Sequence, residues 1–97
     1  MAYQVLLFYK YVTIEDPETV KNWVKTRASE LSLTGRVLVA EEGINGTLAG
    51  TYENADTFAR ELLQDARFAD IQVKTSGSDF DPFPKLSVKV RNEIVGT

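Results

Sequence analysis

The sequence predicts an α+β domain of the ferredoxin-like type, in which two helices cover one face of an antiparallel sheet. Two segments carry apolar residues at helical spacings of three and four. The segments around them either alternate between polar and apolar residues or are apolar throughout, as strands are. In chain order these segments give β-α-β-β-α-β, with a possible extra strand. A length of 97 residues is typical of a single domain, which we place at residues 1–97.

The first strand is predicted at residues 3–12, which are rich in β-branched and aromatic side chains. A helix follows, because Asp16 can accept hydrogen bonds from free backbone N–H groups and Pro17 suits the first helical turn. Its apolar face consists of Val20, Trp23, Val24, Ala28 and Leu31. Gly35 is expected to end this helix, since glycine readily adopts the left-handed conformation.

The stretch "EEGINGTLAG", residues 41–50, is interpreted as part of a β-hairpin. The strands on either side are predicted at residues 36–40 and 47–49. Asn45-Gly46 is the pair most favoured in two-residue hairpin turns, and Gly43 beside it is expected to form a bulge.

The same stretch offers two candidate chemical sites. Glu41 and Glu42 could form an acid–base or metal-binding pair, but adjacent strand residues point to opposite faces, so a solvated hairpin end is favoured. Gly50-Thr51 precedes a helix, and weak anion binding there stays open.

The second helix is predicted at residues 52–66, followed by a strand at 70–75, a loop at 76–84 and a strand at 85–91. The apolar stripe of that helix consists of Ala55, Phe58, Ala59, Leu62, Leu63 and Ala66.

The composition excludes several kinds of chemistry within this chain. It contains no cysteine and no histidine, so thiolate catalysis, disulfides and imidazole acid–base chemistry are absent, and no metal site is predicted. The net charge of -3 is unusual for a nonspecific polyanion binder. No apolar run approaches the roughly 18 residues of a membrane span, and we expect a cytoplasmic protein without membrane contact.

The first strand has apolar residues on both faces. Leu6 and Phe8 share one face, and Leu7 and Tyr9 share the other. Only one face can meet the helices, so the second face stays exposed or contacts a partner. Leu6 and Phe8 are predicted as the domain-docking residues. Tyr9 and Tyr11 could stack on bases, although a core or interface role is favoured.

A basic stripe is predicted on the last strands. Lys85, Lys89 and Arg91 share a face, and Lys74 alternates similarly on the preceding strand. Such a stripe with stacking aromatics suits RNA. The alternative is that charges on an edge strand only prevent aggregation.

Four blocks of the sequence carry a resemblance to a known family: "YKYVTIEDPE", "GRVLVAEEGINGTLAGT", "ARFADIQVK" and "VKVRNEIV". In this order they resemble bacterial rhodanese-domain proteins that act as oxygen-dependent tRNA wobble-uridine hydroxylases and form 5-hydroxyuridine. The resemblance covers nearly the whole chain and corresponds to the N-terminal, acylphosphatase-like region of these proteins.

The resemblance implies that a rhodanese domain carrying the essential cysteine follows in the family. This chain ends at Thr97, where a linker would begin, and is interpreted as the excised N-terminal domain. The parent family is enzymatic, but no catalytic residue transfers to this chain, which is expected to be inactive alone and to contain no cofactor. The implied partners are tRNA, through the full-length protein, and the rhodanese domain.

The matched blocks supply six candidates for RNA contact: Lys10, Arg36, Lys74, Lys85, Lys89 and Arg91. The alternative is a protein-interaction module that docks the rhodanese domain without touching RNA. Acylphosphatase activity is disfavoured, because "YVTIEDPE" lacks the glycines and arginine of that phosphate cradle and carries carboxylates that repel an acyl phosphate.

Overall fold

The computed structural model describes residues 2–94. The end of the chain, where the linker is expected, lies outside the described residues. Five strands are present in this range: β1 (Tyr3–Tyr11), β2 (Thr34–Ala40), β3 (Gly43–Thr51), β4 (Gln72–Ser78) and β5 (Leu86–Val90). The two helices are α1 (Pro17–Glu30) and α2 (Tyr52–Gln64), and a short 3-10 helix follows at Ala66–Phe68.

The strands form one sheet in the order β4-β1-β3-β2-β5. Strands β1 to β4 pair antiparallel in the ferredoxin-like arrangement, which confirms the predicted fold class. The last strand, β5, pairs with β2 in parallel, so the sheet is mixed rather than wholly antiparallel.

Both helices cover the same face of the sheet. α1 packs against β2 and β5, and α2 packs against β1 and β3. The Phe8 ring lies 6.1 Å from the Phe58 ring of α2, and Leu6 and Phe8 are only 1% and 2% exposed. The prediction that these two residues dock another domain is therefore wrong, because the helices of this domain already bury them.

The hairpin turn lies four residues earlier than the sequence predicts. Ala40 pairs with Gly43, so Glu41 and Glu42 form the turn, and Asn45 and Gly46 lie within β3. Gly43 takes a φ of 154°, which other residues rarely adopt, and it pairs in register rather than forming the predicted bulge.

Packing explains why the Asn-Gly pair is not a turn. Gly46 lies opposite Phe8, and a Cβ there would be 2.5 Å from Phe8 Cζ. Gly46 is therefore a strand residue that makes room for an aromatic ring, and the buried neighbours Ile44 and Leu48 continue the strand on either side.

The helix starts follow the sequence, whereas the end of α1 does not. Asp16 accepts a hydrogen bond from Thr19 N at 3.4 Å, and Pro17 begins α1, as predicted. The chain leaves α1 through Ser32, whose φ is 56°, instead of through Gly35, which lies in β2. A serine can adopt this left-handed conformation at moderate cost, so no glycine is needed.

Candidate interaction face of the sheet

The face of the sheet opposite the helices, which we call the open face, is packed against neither α1 nor α2. Only its margins are contacted, by the loop between β4 and β5 at Thr34 and by Ile94 at Asn45. The pairing register defines its side chains, since directly paired residues point to the same side. One row across the strands consists of Lys74, Leu7, Thr47, Arg36 and Ser87. The next row consists of Gln72, Tyr9, Asn45, Leu38 and Lys89.

An apolar and aromatic stripe runs along β1 on the open face. Leu7, Tyr9 and Tyr11 are 46%, 47% and 51% exposed. The two tyrosine rings meet edge to face, with centroids 5.2 Å apart and an interplanar angle of 81°. Hydrogen bonding to Tyr9, loss of solvation and the nearby carboxylates of Glu42 and Glu93 raise the pKa of Tyr11 to about 12. The Tyr11 phenol is therefore uncharged at neutral pH.

Cations flank this stripe on both sides. Lys74 lies on β4, Arg36 on β2 and Lys89 on β5. Lys74 and Arg36 are three strands apart, or about 14 Å. No strand residue that the register assigns to the open face is acidic, and none of the three cations forms an ion pair within residues 2–94. A chain with a net charge of -3 thus presents a cationic surface on this side.

The carboxylates closest to the open face lie at its margins. Asp81, in the loop between β4 and β5, accepts a hydrogen bond from Thr34 Oγ1 at 2.7 Å. Glu42 lies in the hairpin turn, and Glu93 follows β5. These positions leave the centre of the face to aromatic, amide and basic side chains.

The remaining three RNA-contact candidates differ in their placement. Lys85 and Arg91 stand at either end of β5, in alternation with Lys89. Lys10 points to the helix side, where its Nζ donates to the Arg67 carbonyl at 2.8 Å and pairs with Asp70. The hydrogen bond from Lys10 to the Asp70 carboxylate lowers the pKa of Asp70. Lys10 thus fixes the 3-10 helix to β1 and lies away from the open face.

A shallow groove of about 250 Å³ crosses the open face above β1. Its lining consists of Leu7, Phe8, Tyr9, Asn45, Gly46, Gln72 and Lys74. Asn45 Nδ2 donates to the Ile94 carbonyl at 3.2 Å, which fixes the amide at the groove. Sequence reasoning missed Asn45 and Gln72, because Asn45 was assigned to a turn and Gln72 carries no charge. The pairing of β1 with β3 and β4 places both residues beside Tyr9, and this pairing cannot be identified from the local sequence.

The anion site that the sequence leaves open at Gly50-Thr51 is taken up by helix capping. Thr51 Oγ1 accepts from Asn54 N at 3.2 Å, and Asp16 caps α1, so both helix starts already have a side-chain acceptor. Between residues 2 and 94 there is no group of three acidic, cysteine or histidine side chains arranged to hold a metal ion. Neither helix in this range has the length and apolar character needed to span a membrane.

Solved structures of other proteins share this fold. BlrB, a BLUF protein in its dark state, superposes with a TM-score of 0.77 at 20% identity, covering 94% of this chain and 73% of BlrB. Full-length HypF, in its phosphate- and nucleotide-bound form, gives a TM-score of 0.63 at 16% identity over 92% of this chain and 12% of HypF. At these identities the likeness concerns the fold alone.

Curated relatives are closer in sequence. A tRNA uridine(34) hydroxylase of Listeria welshimeri is 48% identical over 96% of this chain, and one of Staphylococcus epidermidis is 47% identical over 98%. The chain spans only about 30% of the length of these relatives, which therefore contain further sequence. Residues 3–94 match the family model described as the UPF0176 acylphosphatase like domain. The chain belongs to this family.

Proposed function

We propose that this domain holds tRNA for hydroxylation of the wobble uridine to 5-hydroxyuridine, a reaction carried out by the rest of a longer protein. Its partner in that protein is a rhodanese domain bearing the reactive cysteine, and the domain itself needs no cofactor. The names of the curated relatives support the tRNA substrate. Proximity and orientation can contribute roughly 7–11 kcal/mol to such a reaction in ideal cases.

The observation that carries the proposal is the charge of the open face. Arg36, Lys74 and Lys89 lie around the exposed Leu7 and Tyr9, and the strand residues of this face within residues 2–94 include no acidic side chain. Contacts from Lys and Arg to phosphates supply most of the nonspecific affinity for nucleic acids, and aromatic rings stack on unpaired bases. Both kinds of group lie on one side of this sheet.

The test is the salt dependence of tRNA binding by the 97-residue chain. A triple variant Arg36→Gln, Lys74→Gln and Lys89→Gln is expected to bind weakly and to lower the slope of log K against log salt by about 2, since each phosphate contact contributes roughly 0.7–0.9. The matched control is Lys21→Gln, Lys25→Gln and Arg60→Gln on the helices, which makes the same change in net charge. Equal effects of the two triple variants would contradict the proposal.

A second function, docking of the rhodanese domain without RNA contact, is favoured by the exposed apolar side chain of Leu7. It makes a different prediction for the same measurement. Under pure docking the 97-residue chain does not bind tRNA even when unaltered, and Leu7→Ser weakens association with the rhodanese domain.

A further inference from the structure

We infer that the groove above β1 binds one unpaired nucleobase, stacked on the Tyr9 ring, with the adjoining phosphate at Lys74. This inference rests on the proposed function and adds the site and the form of the RNA. The groove volume of about 250 Å³ lies below the range of roughly 300–1,000 Å³ typical of pockets for drug-sized ligands. One planar base is a better match than a larger ligand.

The aromatic surface comes from Tyr9 at the centre of the groove. Its ring is about half exposed, and Tyr11 contacts it edge to face at 5.2 Å. This contact restricts the Tyr9 ring and leaves part of it open to solvent. A restrained ring loses little conformational freedom when a base stacks on it.

The polar groups lie on both sides of that ring in a single row. Asn45 on β3 and Gln72 on β4 both pair with Tyr9, and their strands are two spacings apart, or roughly 10 Å. Asn45 Nδ2 donates to the Ile94 carbonyl, and this leaves Asn45 Oδ1 to accept a hydrogen bond from a base N–H group. Gln72 is exposed and can both donate and accept. A base lying between them can form edge hydrogen bonds on either side.

The charge favours a nucleotide over an apolar protein segment. Lys74 borders the groove beside Leu7 and has no carboxylate partner within residues 2–94. The phosphate on the ribose of the stacked base could pair with Lys74. Base-paired RNA would not fit, because its bases are stacked on one another and their faces are unavailable.

The experiment compares binding of the 97-residue chain to a fluorescent single-stranded oligoribonucleotide and to the same strand in a duplex, by anisotropy at low salt. Tyr9→Leu is expected to weaken single-strand binding by roughly 5- to 150-fold, the range expected for loss of one base–aromatic stack. Tyr9→Phe should retain most of the affinity, because it keeps the ring. Tyr52→Leu, a half-exposed tyrosine at the start of α2, is the matched control and should have no effect. Circular dichroism checks that each variant is folded.

The outcomes separate this inference from the proposed function. Unchanged single-strand binding by Tyr9→Leu, together with loss of binding by the open-face triple variant, would overturn the groove while leaving the cationic face in place. An equal loss for Tyr9→Phe and Tyr9→Leu would also overturn it, because the ring would then not be the binding element. If the unaltered chain bound neither RNA, the proposed function and the groove would both be refuted.

Discussion

The two faces of β1 differ completely although their residues alternate along one strand. On the covered face, Leu6 and Phe8 are almost fully buried beneath α2. On the open face, Leu7, Tyr9 and Tyr11 are each about half exposed. The covered face has the closely packed apolar character of a protein core, while the open face combines apolar, aromatic and cationic groups as binding surfaces do.

This difference separates stability from recognition within a small domain. No polar or charged residue is buried among residues 2–94, so the core depends on apolar packing alone. Within residues 2–94 Arg36, Lys74 and Lys89 form no ion pair, so they contribute little to folding. Substitutions on one face should therefore affect folding, and substitutions on the other should affect binding.

The largest expected effect comes from making the same substitution at adjacent positions on the two faces. Leu6→Ala should lower the free energy of unfolding by about 2–5 kcal/mol, because it leaves a cavity in the core. Leu7→Ala should cost roughly 1 kcal/mol, since only half of that side chain leaves water on folding. Urea denaturation of both variants measures the difference. Similar losses would show that Leu7 is also a core residue and that the two faces are not distinct.

A smaller effect is expected from the ion pair that joins the two helices above the core. Arg27 Nε donates to Glu61 Oε1 at 2.7 Å, and Arg27 Nη2 donates to Glu61 Oε2 at 2.6 Å. Hydrogen bonding to Arg27 lowers the pKa of Glu61. Glu61→Gln should therefore destabilise the domain at neutral pH, by less than Leu6→Ala.

The pH dependence identifies the cause of that loss. A carboxyl group whose pKa is lower in the folded state stabilises the fold above its unfolded pKa, about 4.3 for Glu, and this contribution is lost as pH falls through the folded value. The stability difference between the unaltered chain and Glu61→Gln should be constant near neutral pH and shrink below about pH 4.3. Asp56→Asn, which removes an exposed pair with Arg60 on α2, is the control. A difference independent of pH would assign the effect to packing.

The sequence predicted the elements and their order, because helical and strand periodicities are local signals. It did not predict which face of β1 meets the helices, since both faces are apolar and the choice depends on the register with β3. It also misplaced the hairpin turn: the local preference of Asn45-Gly46 yielded to the packing of the Phe8 ring over Gly46. The assignment of Lys10 to an RNA surface is not supported by its placement, because a long-range contact decides its position. Its partner Asp70 is 60 residues away in the chain and cannot be identified from the local sequence.

The central claim, that the open face contacts tRNA while the covered face maintains the fold, is tested most directly by NMR titration of the chain with a tRNA anticodon stem-loop. We expect the largest amide shifts on the open-face rows, around Leu7, Tyr9, Arg36, Lys74 and Lys89, and little change across α1 and α2. Shifts concentrated on the helices, or no shifts at all, would contradict the account.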